Sequence, residues 1–106
     1  MVDLKGRVLG LAELLDYQEG SVVSRELVKL PTGSLTVFAF DAGQGLSEHT
    51  APFDATVLMV EGEAEVSISG TPQTVKAGEL LILPAGVPHA VNALKPFKML
   101  LIMIRS

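Results

Sequence analysis

The stretch GLSEHTAPFDATVLMVEGEAEV, from Gly45 to Val66, contains one of the two histidines of the chain, just before a run of valine, leucine and methionine. A second stretch, LILPAGVPHAV from Leu81 to Val91, contains the other histidine. Period-two alternation in the first stretch places Ala55, Val57 and Met59 on one face of a predicted strand. The two histidines can share a site only if the fold brings these stretches side by side.

After Gly20 the sequence is a series of short apolar segments, rich in β-branched and aromatic residues and separated by proline and glycine. Seven or more such segments at roughly regular spacing predict an all-β sandwich or barrel. The alternating segment EAEVSI predicts one face in water, whereas KMLLIMI does not alternate and is expected to be covered on both sides. The predicted strands are VVSRELVKL, SLTVFAF, ATVLMV, EAEVSI, QTVKA, ELLIL and FKMLLIMI.

The segment LGLAELLDYQEG is the only predicted helix of the chain. Leu11, Leu14 and Leu15 follow helical spacing, and Gly20 provides a stop signal. We therefore expect a short N-terminal helix of two or three turns.

The composition limits the classes of function. The chain has 106 residues, enough for one domain, and 8 basic against 12 acidic side chains give a net charge of −4. The basic residues are scattered, which disfavours nucleic-acid binding.

No apolar run is long enough for a membrane-spanning helix, and the first residues, MVDLKGRVLG, lack the layout of a signal peptide. Cysteine is absent, so disulfides and thiolate ligands are excluded. We expect a cytoplasmic protein.

Glycines frame both histidine stretches at fixed distances. In the first frame Gly43 is followed by His49, Ala51, Ala55 and Gly62, with five residues between Gly43 and His49 and six between Ala55 and Gly62. The frame places His49 and Ala51 ahead of a predicted strand, Ala55 at the start of that strand, and its last glycine at a turn.

The second frame runs through Gly78, Pro84, Gly86, His89 and Asn92. The two frames resemble the paired motifs of a small single-domain cupin, which read G(X)5HXH(X)3-4E(X)6G and G(X)5PXG(X)2H(X)3N. The second motif matches closely, with its asparagine one position early. The first motif matches in its glycines and its first histidine only.

This resemblance covers about residues 34 to 104 and implies a double-stranded β-helix, that is, a small jelly-roll barrel with the two motifs side by side. Metal-binding cupins typically use two histidines and a glutamate of the first motif and one histidine of the second. Here Ala51 and Ala55 stand at two of those positions, which leaves His49 and His89 as metal ligands. Because a catalytic zinc site keeps three protein ligands, the resemblance implies no cofactor or a weakly bound Zn, Fe, Ni or Mn ion.

The sequence is compatible with several functions. The favoured one is a non-catalytic or weakly catalytic barrel that binds a small molecule at an eroded metal site. The alternative is a metal-dependent enzyme of the dioxygenase or isomerase class that uses His49 and His89, and a third is a regulatory partner. An imidazole pair can also bind an anionic or hydroxylated ligand, or act as acid and base. The expected pocket residues are His49, Ala51, Ala55, Val57, Met59, His89 and Val91.

The chain is expected to divide into an N-terminal helix and strand at residues 1–33 and a barrel at residues 34–106. The apolar segment FKMLLIMI needs cover outside the barrel, and a second copy of the chain would supply it. We therefore expect a homodimer whose interface includes the N-terminal third, with a small-molecule ligand and no nucleic-acid or membrane partner.

Overall fold

The computed structural model describes residues 4–105, which form nine β-strands and one short 3-10 turn. The turn is Leu11–Glu13. The strands are β1 (Val22–Leu30), β2 (Gly33–Phe40), β3 (Gly45–His49), β4 (Ala55–Glu61), β5 (Glu63–Ile68), β6 (Thr71–Lys76), β7 (Leu80–Leu83), β8 (His89–Asn92) and β9 (Phe97–Ile104).

The strands form two antiparallel sheets that enclose one apolar core. The five-stranded sheet has the order β1-β2-β9-β4-β7, and the four-stranded sheet has the order β3-β8-β5-β6. Consecutive strands alternate between the sheets from β2 to β5 and from β6 to β9, whereas β1–β2 and β5–β6 are hairpins within one sheet. This arrangement is that of a jelly roll. The all-β, jelly-roll prediction is confirmed.

The predicted N-terminal helix is wrong. Only Leu11–Glu13 are helical, as a single 3-10 turn, and Gly10 before it makes no side-chain capping hydrogen bond. The first turn of a helix is costly to form and needs further turns to offset it, whereas Leu15 gains more by packing on the outer face of the five-stranded sheet. Within residues 4–105 there is also no helix long and apolar enough to cross a membrane.

Polar contacts hold this N-terminal segment on the outer face of the sheet. The buried Lys98 donates from Nζ to the carbonyl oxygen of Ala12 at 2.6 Å and lies 3.9 Å from Oε2 of Glu61. The Tyr17 hydroxyl donates to the same carboxylate oxygen at 2.6 Å, and its ring centroid is 4.9 Å from Nζ of Lys98. Burial, followed by the hydrogen bond and the negative charge of Glu61, raises the pKa of Tyr17.

The strand β9 is central in its sheet and is covered along most of both faces, as its lack of alternation predicts. It pairs with β2 on one side and β4 on the other. Met99 faces the barrel core, and Leu100 belongs to the outer cluster that the N-terminal segment covers. Its last residue, Ile104, is exposed, so the cover on the outer face is incomplete.

One end of the barrel interior is densely filled. The rings of Phe40 and Phe97 stack with their centroids 4.5 Å apart, and both side chains are fully buried with Met59 and Val66. We call this the closed end. Along β9 the inward-facing residues run from Phe97 at the closed end to Met103 at the opposite end, which we call the open end.

The turn between β4 and β5 requires glycine at the closed end. Gly62 has a φ of 76°, and a Cβ built on it would lie 2.7 Å from the carbonyl oxygen of Pro96 and 3.1 Å from Cβ of Phe97. Both the backbone conformation and the close approach exclude a side chain. The last glycine of the first motif thus serves the packing of the closed end.

Candidate functional site

The structure brings the two histidines together at the open end. The last residue of β3, His49, pairs with the first residue of β8, His89. Their Nε2 atoms are 3.1 Å apart, and their rings meet edge to face with centroids 4.4 Å apart. Two residues that are distant in the sequence therefore act as one pair.

Local irregularities of the backbone aim these two side chains. The register between β3 and β8 shifts between Leu46 and His49, as in a β-bulge, and such shifts re-aim side chains. The loop before β8 is tied to the loop after β3 by two hydrogen bonds. The Gly86 amide donates to the carbonyl oxygen of Ala51 at 2.8 Å, and the Ala85 amide donates to Oδ1 of Asp54 at 2.8 Å.

The backbone fixes which ring nitrogens face the cavity. Nδ1 of His49 is 2.7 Å from the carbonyl oxygen of Ser47, and Nδ1 of His89 is 3.2 Å from that of Val87. A carbonyl oxygen only accepts hydrogen bonds, so both Nδ1 atoms carry hydrogens. The Nε2 atoms are therefore the groups that the pair presents to each other and to a ligand.

The two rings differ in their surroundings. The His89 side chain is buried, whereas His49 is exposed at the rim. Burial lowers the pKa of His89, and the nearby His49 lowers it further, while the hydrogen bond to Val87 acts in the opposite direction. Of the two rings, His49 is the one in contact with water.

Below the pair lies a cavity of about 190 Å³ at the open end. Its only polar side chains are the two imidazoles, and every other lining residue is apolar. The lining consists of Leu46, His49, Ala51, Ala55, Val57, Leu83, His89, Val91, Met99, Leu101 and Met103. Because the apolar walls carry no hydrogen-bonding side chain, a ligand that fits would be oriented by the histidines alone.

Six of the seven pocket residues predicted from the sequence line this cavity, and Met59 does not. It points inward, as alternation predicts, but lies opposite Met99 in the core, one step further toward the closed end. Sequence reasoning did not include Leu46, Leu83 or the three inward residues of β9 in the pocket. The period-two geometry of a strand does place Met99, Leu101 and Met103 on one face.

The residues of this site do not fit a three-ligand metal centre. Within residues 4–105, no three histidine, cysteine, aspartate or glutamate side chains are grouped so that they could hold an ion. Ala51 and Ala55 line the cavity with methyl groups. The neighbouring Asp54 accepts a hydrogen bond from the Ala85 amide, and Glu61 accepts one from the Tyr17 hydroxyl on the outer face.

The paired motifs, the two-sheet barrel and the inward-facing histidines point to one family. A family model described as a cupin domain matches residues 36–104. The chain belongs to the cupin family. The resemblance recognised in the two glycine frames is thereby confirmed.

Solved structures share the fold of this cupin over most of its length. A conserved protein of unknown function from Streptococcus pyogenes, SPY1581, is 35% identical, with a TM-score of 0.90 over 95% of this chain and 89% of that chain. A cupin 2 conserved barrel domain protein from Leptotrichia buccalis is 44% identical, with a TM-score of 0.88, and the match covers 92% of this chain and 47% of that chain.

More distant structures show the fold alone. Salicylate 1,2-dioxygenase from Pseudoaminobacter salicylatoxidans is 17% identical, with a TM-score of 0.72 over 78% of this chain and 25% of that chain. A comparison with curated proteins gives no match.

Proposed function

We propose that this cupin is a small-molecule-binding barrel, non-catalytic or weakly catalytic, in which alanines replace two metal ligands of the family pattern. The observation that carries the proposal is the cavity of about 190 Å³, in which the methyl groups of Ala51 and Ala55 face the same space as the two imidazoles. No carboxylate lines this cavity beside the histidines, so an acid–base reaction would depend on the two imidazoles alone.

The size of the cavity suits a compact ligand. An apolar cavity of about 150 Å³ in another protein stays dry and takes up benzene, and the cavity here is slightly larger. Pockets for drug-sized ligands start at roughly 300 Å³. The space therefore fits a body of about one six-membered ring.

Binding of toluene, measured by calorimetry in the presence of a chelator, tests this function. We expect saturable 1:1 binding that is lost in Ala55→Leu, because the added side chain fills the cavity. The matched control is Ala42→Leu, at an exposed turn position, which should bind as the unchanged protein does. Equal toluene binding in both variants, or none in the unchanged protein, would contradict the proposal.

A metal-dependent function, of the dioxygenase or isomerase class, is the second candidate. It is favoured by the orientation of the rings, since histidine ligands of metals commonly donate their other N–H to a carbonyl oxygen, as both Nδ1 atoms do here. Elemental analysis for Zn, Fe, Ni and Mn separates the two candidates. We expect less than one equivalent of any of them, and a stoichiometric metal retained through chelator treatment would favour the enzyme.

We also propose that the protein forms a two-fold homodimer through the outer face of the five-stranded sheet. The N-terminal segment covers one part of this face and leaves large side chains exposed at the other part. Leu80 is 59% exposed, Ile82 54% and Ile104 63%, and Leu30 of β1 lies beside Ile104 across Gly33. Strand pairing places all four on the same side of the sheet.

A second copy is the partner that brings a matching apolar face, because a two-fold axis places the same patch on both subunits. A standard interface needs roughly 800 Å² per partner, which the exposed outer face and the adjoining β1 could supply together. The role of the N-terminal third in this interface stays a prediction, with Leu30 as its contribution from β1.

Light scattering at tens of micromolar tests the dimer. Ile82→Arg should convert it to a monomer, because a charge would be buried in the interface. Leu94→Arg is the control, since Leu94 is 72% exposed but lies in the turn before β9 and away from this face. A monomer in the unchanged protein, or a dimer that persists in Ile82→Arg, would contradict the proposal.

A further inference from the structure

The turn that leads into β8 determines where the His89 ring lies. It runs from Pro84 to Val87, and the Val87 amide donates to the carbonyl oxygen of Pro84 at 3.3 Å. Its third residue, Gly86, has a φ of 73°, as a type II turn requires at that position. The carbonyl oxygen of Val87 accepts from Nδ1 of His89 at 3.2 Å, so the orientation of the ring follows the orientation of the turn.

Two hydrogen bonds join this turn to the loop that follows His49. The Gly86 amide donates to the carbonyl oxygen of Ala51 at 2.8 Å. This bond links two backbone groups and does not depend on the identity of a side chain. The Ala85 amide donates to Oδ1 of Asp54 at 2.8 Å, and this second bond exists only because residue 54 carries an acceptor.

A side chain makes this contact because the strand ladder ends at the same place. The pairing of β4 with β7 runs up to Ala55 and Leu83. The next residue is Pro84, which has no N–H to continue the ladder. The carboxylate of Asp54, the residue before Ala55, reaches past the proline to the amide that follows it. The contact between the two segments is thus extended beyond the end of the sheet.

Asp54 makes this contact from outside the ligand cavity. Its neighbour Ala55 lines the cavity, whereas Asp54 and Ala85 line a groove on the outer side together with Phe53 and Ile104. The Asp54 side chain is exposed. Any influence of Asp54 on the cavity is therefore exerted through the turn.

We infer that Asp54 is a positioning residue of the ligand site, whose carboxylate holds the turn before β8 so that the His89 ring meets His49 at the mouth of the cavity. The inference rests on the proposed function and adds a residue that orders the site from outside it. His49 has an anchor of its own, because its Nδ1 atom is bonded to the carbonyl oxygen of Ser47 within β3. Loss of the Asp54 contact should therefore move His89 relative to a fixed His49.

NMR of the imidazole rings measures this geometry directly, since the chain has only two histidines. Their rings meet edge to face with centroids 4.4 Å apart, so a nuclear Overhauser cross-peak is expected between their carbon-bound protons. Asp54→Ala should weaken this cross-peak at least about twofold, because the turn loses one of its two ties. Asp54→Asn should restore it, because the amide oxygen accepts the same hydrogen bond.

A second variant removes the donor of the same hydrogen bond. Ala85→Pro deletes the amide hydrogen, and proline is favoured at the second position of this turn. It should weaken the cross-peak as Asp54→Ala does, and the double variant should lose no more than either single one, since both remove one interaction. Ala85→Pro also keeps the test available if Asp54→Ala does not fold.

The matched control is Glu48→Ala. It removes an exposed carboxylate directly beside His49 that lines neither the cavity nor the outer groove. The cross-peak should be unchanged in this variant, because the turn before β8 keeps both of its hydrogen bonds.

Toluene binding, measured by calorimetry with a chelator present, reports the consequence for the cavity. We expect Asp54→Ala to bind toluene at least about threefold more weakly, since a loosened wall has to be ordered again when the ligand binds. Asp54→Asn should bind it within about twofold of the unchanged protein, because the restored hydrogen bond holds the wall in place.

The outcomes distinguish this inference from the proposed function. An unchanged cross-peak or an unchanged toluene affinity in Asp54→Ala, an equal loss in Asp54→Asn, or a similar loss in Glu48→Ala would overturn the role of Asp54 and leave the cavity function standing. Absence of toluene binding in the unchanged protein, with the cross-peak weakened in Asp54→Ala and restored in Asp54→Asn, would overturn the proposed function instead.

Discussion

The two ends of the barrel interior are both built mainly from apolar residues, but they differ in how densely they are filled. At the closed end, Phe40 and Phe97 stack with their centroids 4.5 Å apart and are fully buried, as is Met59. At the open end, the positions that face inward carry Ala51 and Ala55, and a cavity of about 190 Å³ remains. The small side chains of these two alanines leave the space beside the histidines unfilled.

This difference explains how one strand can serve both stability and binding. The inward residues of β4 run from Ala55 at the open end through Val57 to Met59 at the closed end. The larger residue contributes buried area to the core, whereas the alanine leaves space next to the histidines. Changes made at each end can test whether the closed end supplies stability and the open end supplies ligand space.

Removal of a ring from the closed end should have the largest effect on stability. Phe97→Ala deletes a fully buried side chain that stacks on Phe40, and such changes cost about 3–5 kcal/mol. The free energy of unfolding from denaturant titration measures this loss. The comparison at the open end is Met103→Ala, which borders the existing cavity and is only half-buried. An equal loss at both ends would show that the open end is packed as tightly as the closed end.

Restoration of two ligands should convert the open end into a metal site. The double variant Ala51→His with Ala55→Glu completes the family's ligand set around His49 and His89. We expect zinc affinity to rise at least about 100-fold, because even an outer-shell partner of a metal ligand contributes 10–100-fold. Competition with a fluorescent zinc chelator gives this ratio. An unchanged affinity would mean that the two alanines do not occupy the ligand positions of the first motif.

Enlargement of an alanine should have opposite consequences at the two ends. Ala64→Leu inserts three carbons into the closed end, where Ala64 is buried in the core, and overpacking costs about 1–3 kcal/mol. Ala55→Leu inserts the same atoms next to the cavity and should change the free energy of unfolding by less than about 1 kcal/mol. Thermal or denaturant unfolding compares them, and equal destabilisation would remove the distinction between the ends.

Acidification should destabilise the open end alone, with the smallest effect of the series. Burial lowers the pKa of His89, so below the ordinary histidine value of about 6.5 the unfolded chain binds a proton that the folded protein resists. The free energy of unfolding should therefore be highest above that pH and fall as the pH drops through it toward the lower folded value.

The control for this pH effect is His89→Gln, which lacks the titrating ring. Its free energy of unfolding should vary less between pH 7.5 and pH 5.5, a window chosen above the range in which ordinary carboxylates titrate. An identical pH dependence in both proteins, or a gain of stability in acid, would show that the histidine at the open end is not buried as a neutral ring.

Much of the fold could be predicted because its determinants are local. The glycines and prolines that frame the motifs set turns, and Gly62 is required where the chain approaches Phe97. The predicted helix is wrong because its local pattern was not decisive. The spacing of Leu11, Leu14 and Leu15 fits a helix, but Leu15 is buried against the sheet rather than along a helix face. Tertiary packing overrode the local pattern.

The site could be predicted less completely, because alternation gives the face of a residue but not its depth in the barrel. Met59 shares the inward face of Ala55, yet it lies past the cavity in the core. Met103 lines the cavity because β9 pairs with β4 so that Met103 lies opposite Ala55. That register is a property of the assembled sheet, and no spacing within either segment reveals it.

Methyl NMR of the protein labelled at alanine and methionine tests the central claim most directly, since both ends of the barrel carry these residues. With a chelator present, titration of toluene should shift the methyl signals of Ala51, Ala55 and Met103 saturably and leave those of Ala64 and Met59 unchanged. Shifts at both ends, no shift at the open end, or shifts that require an added transition metal would contradict the assignment of the open end as a ligand cavity.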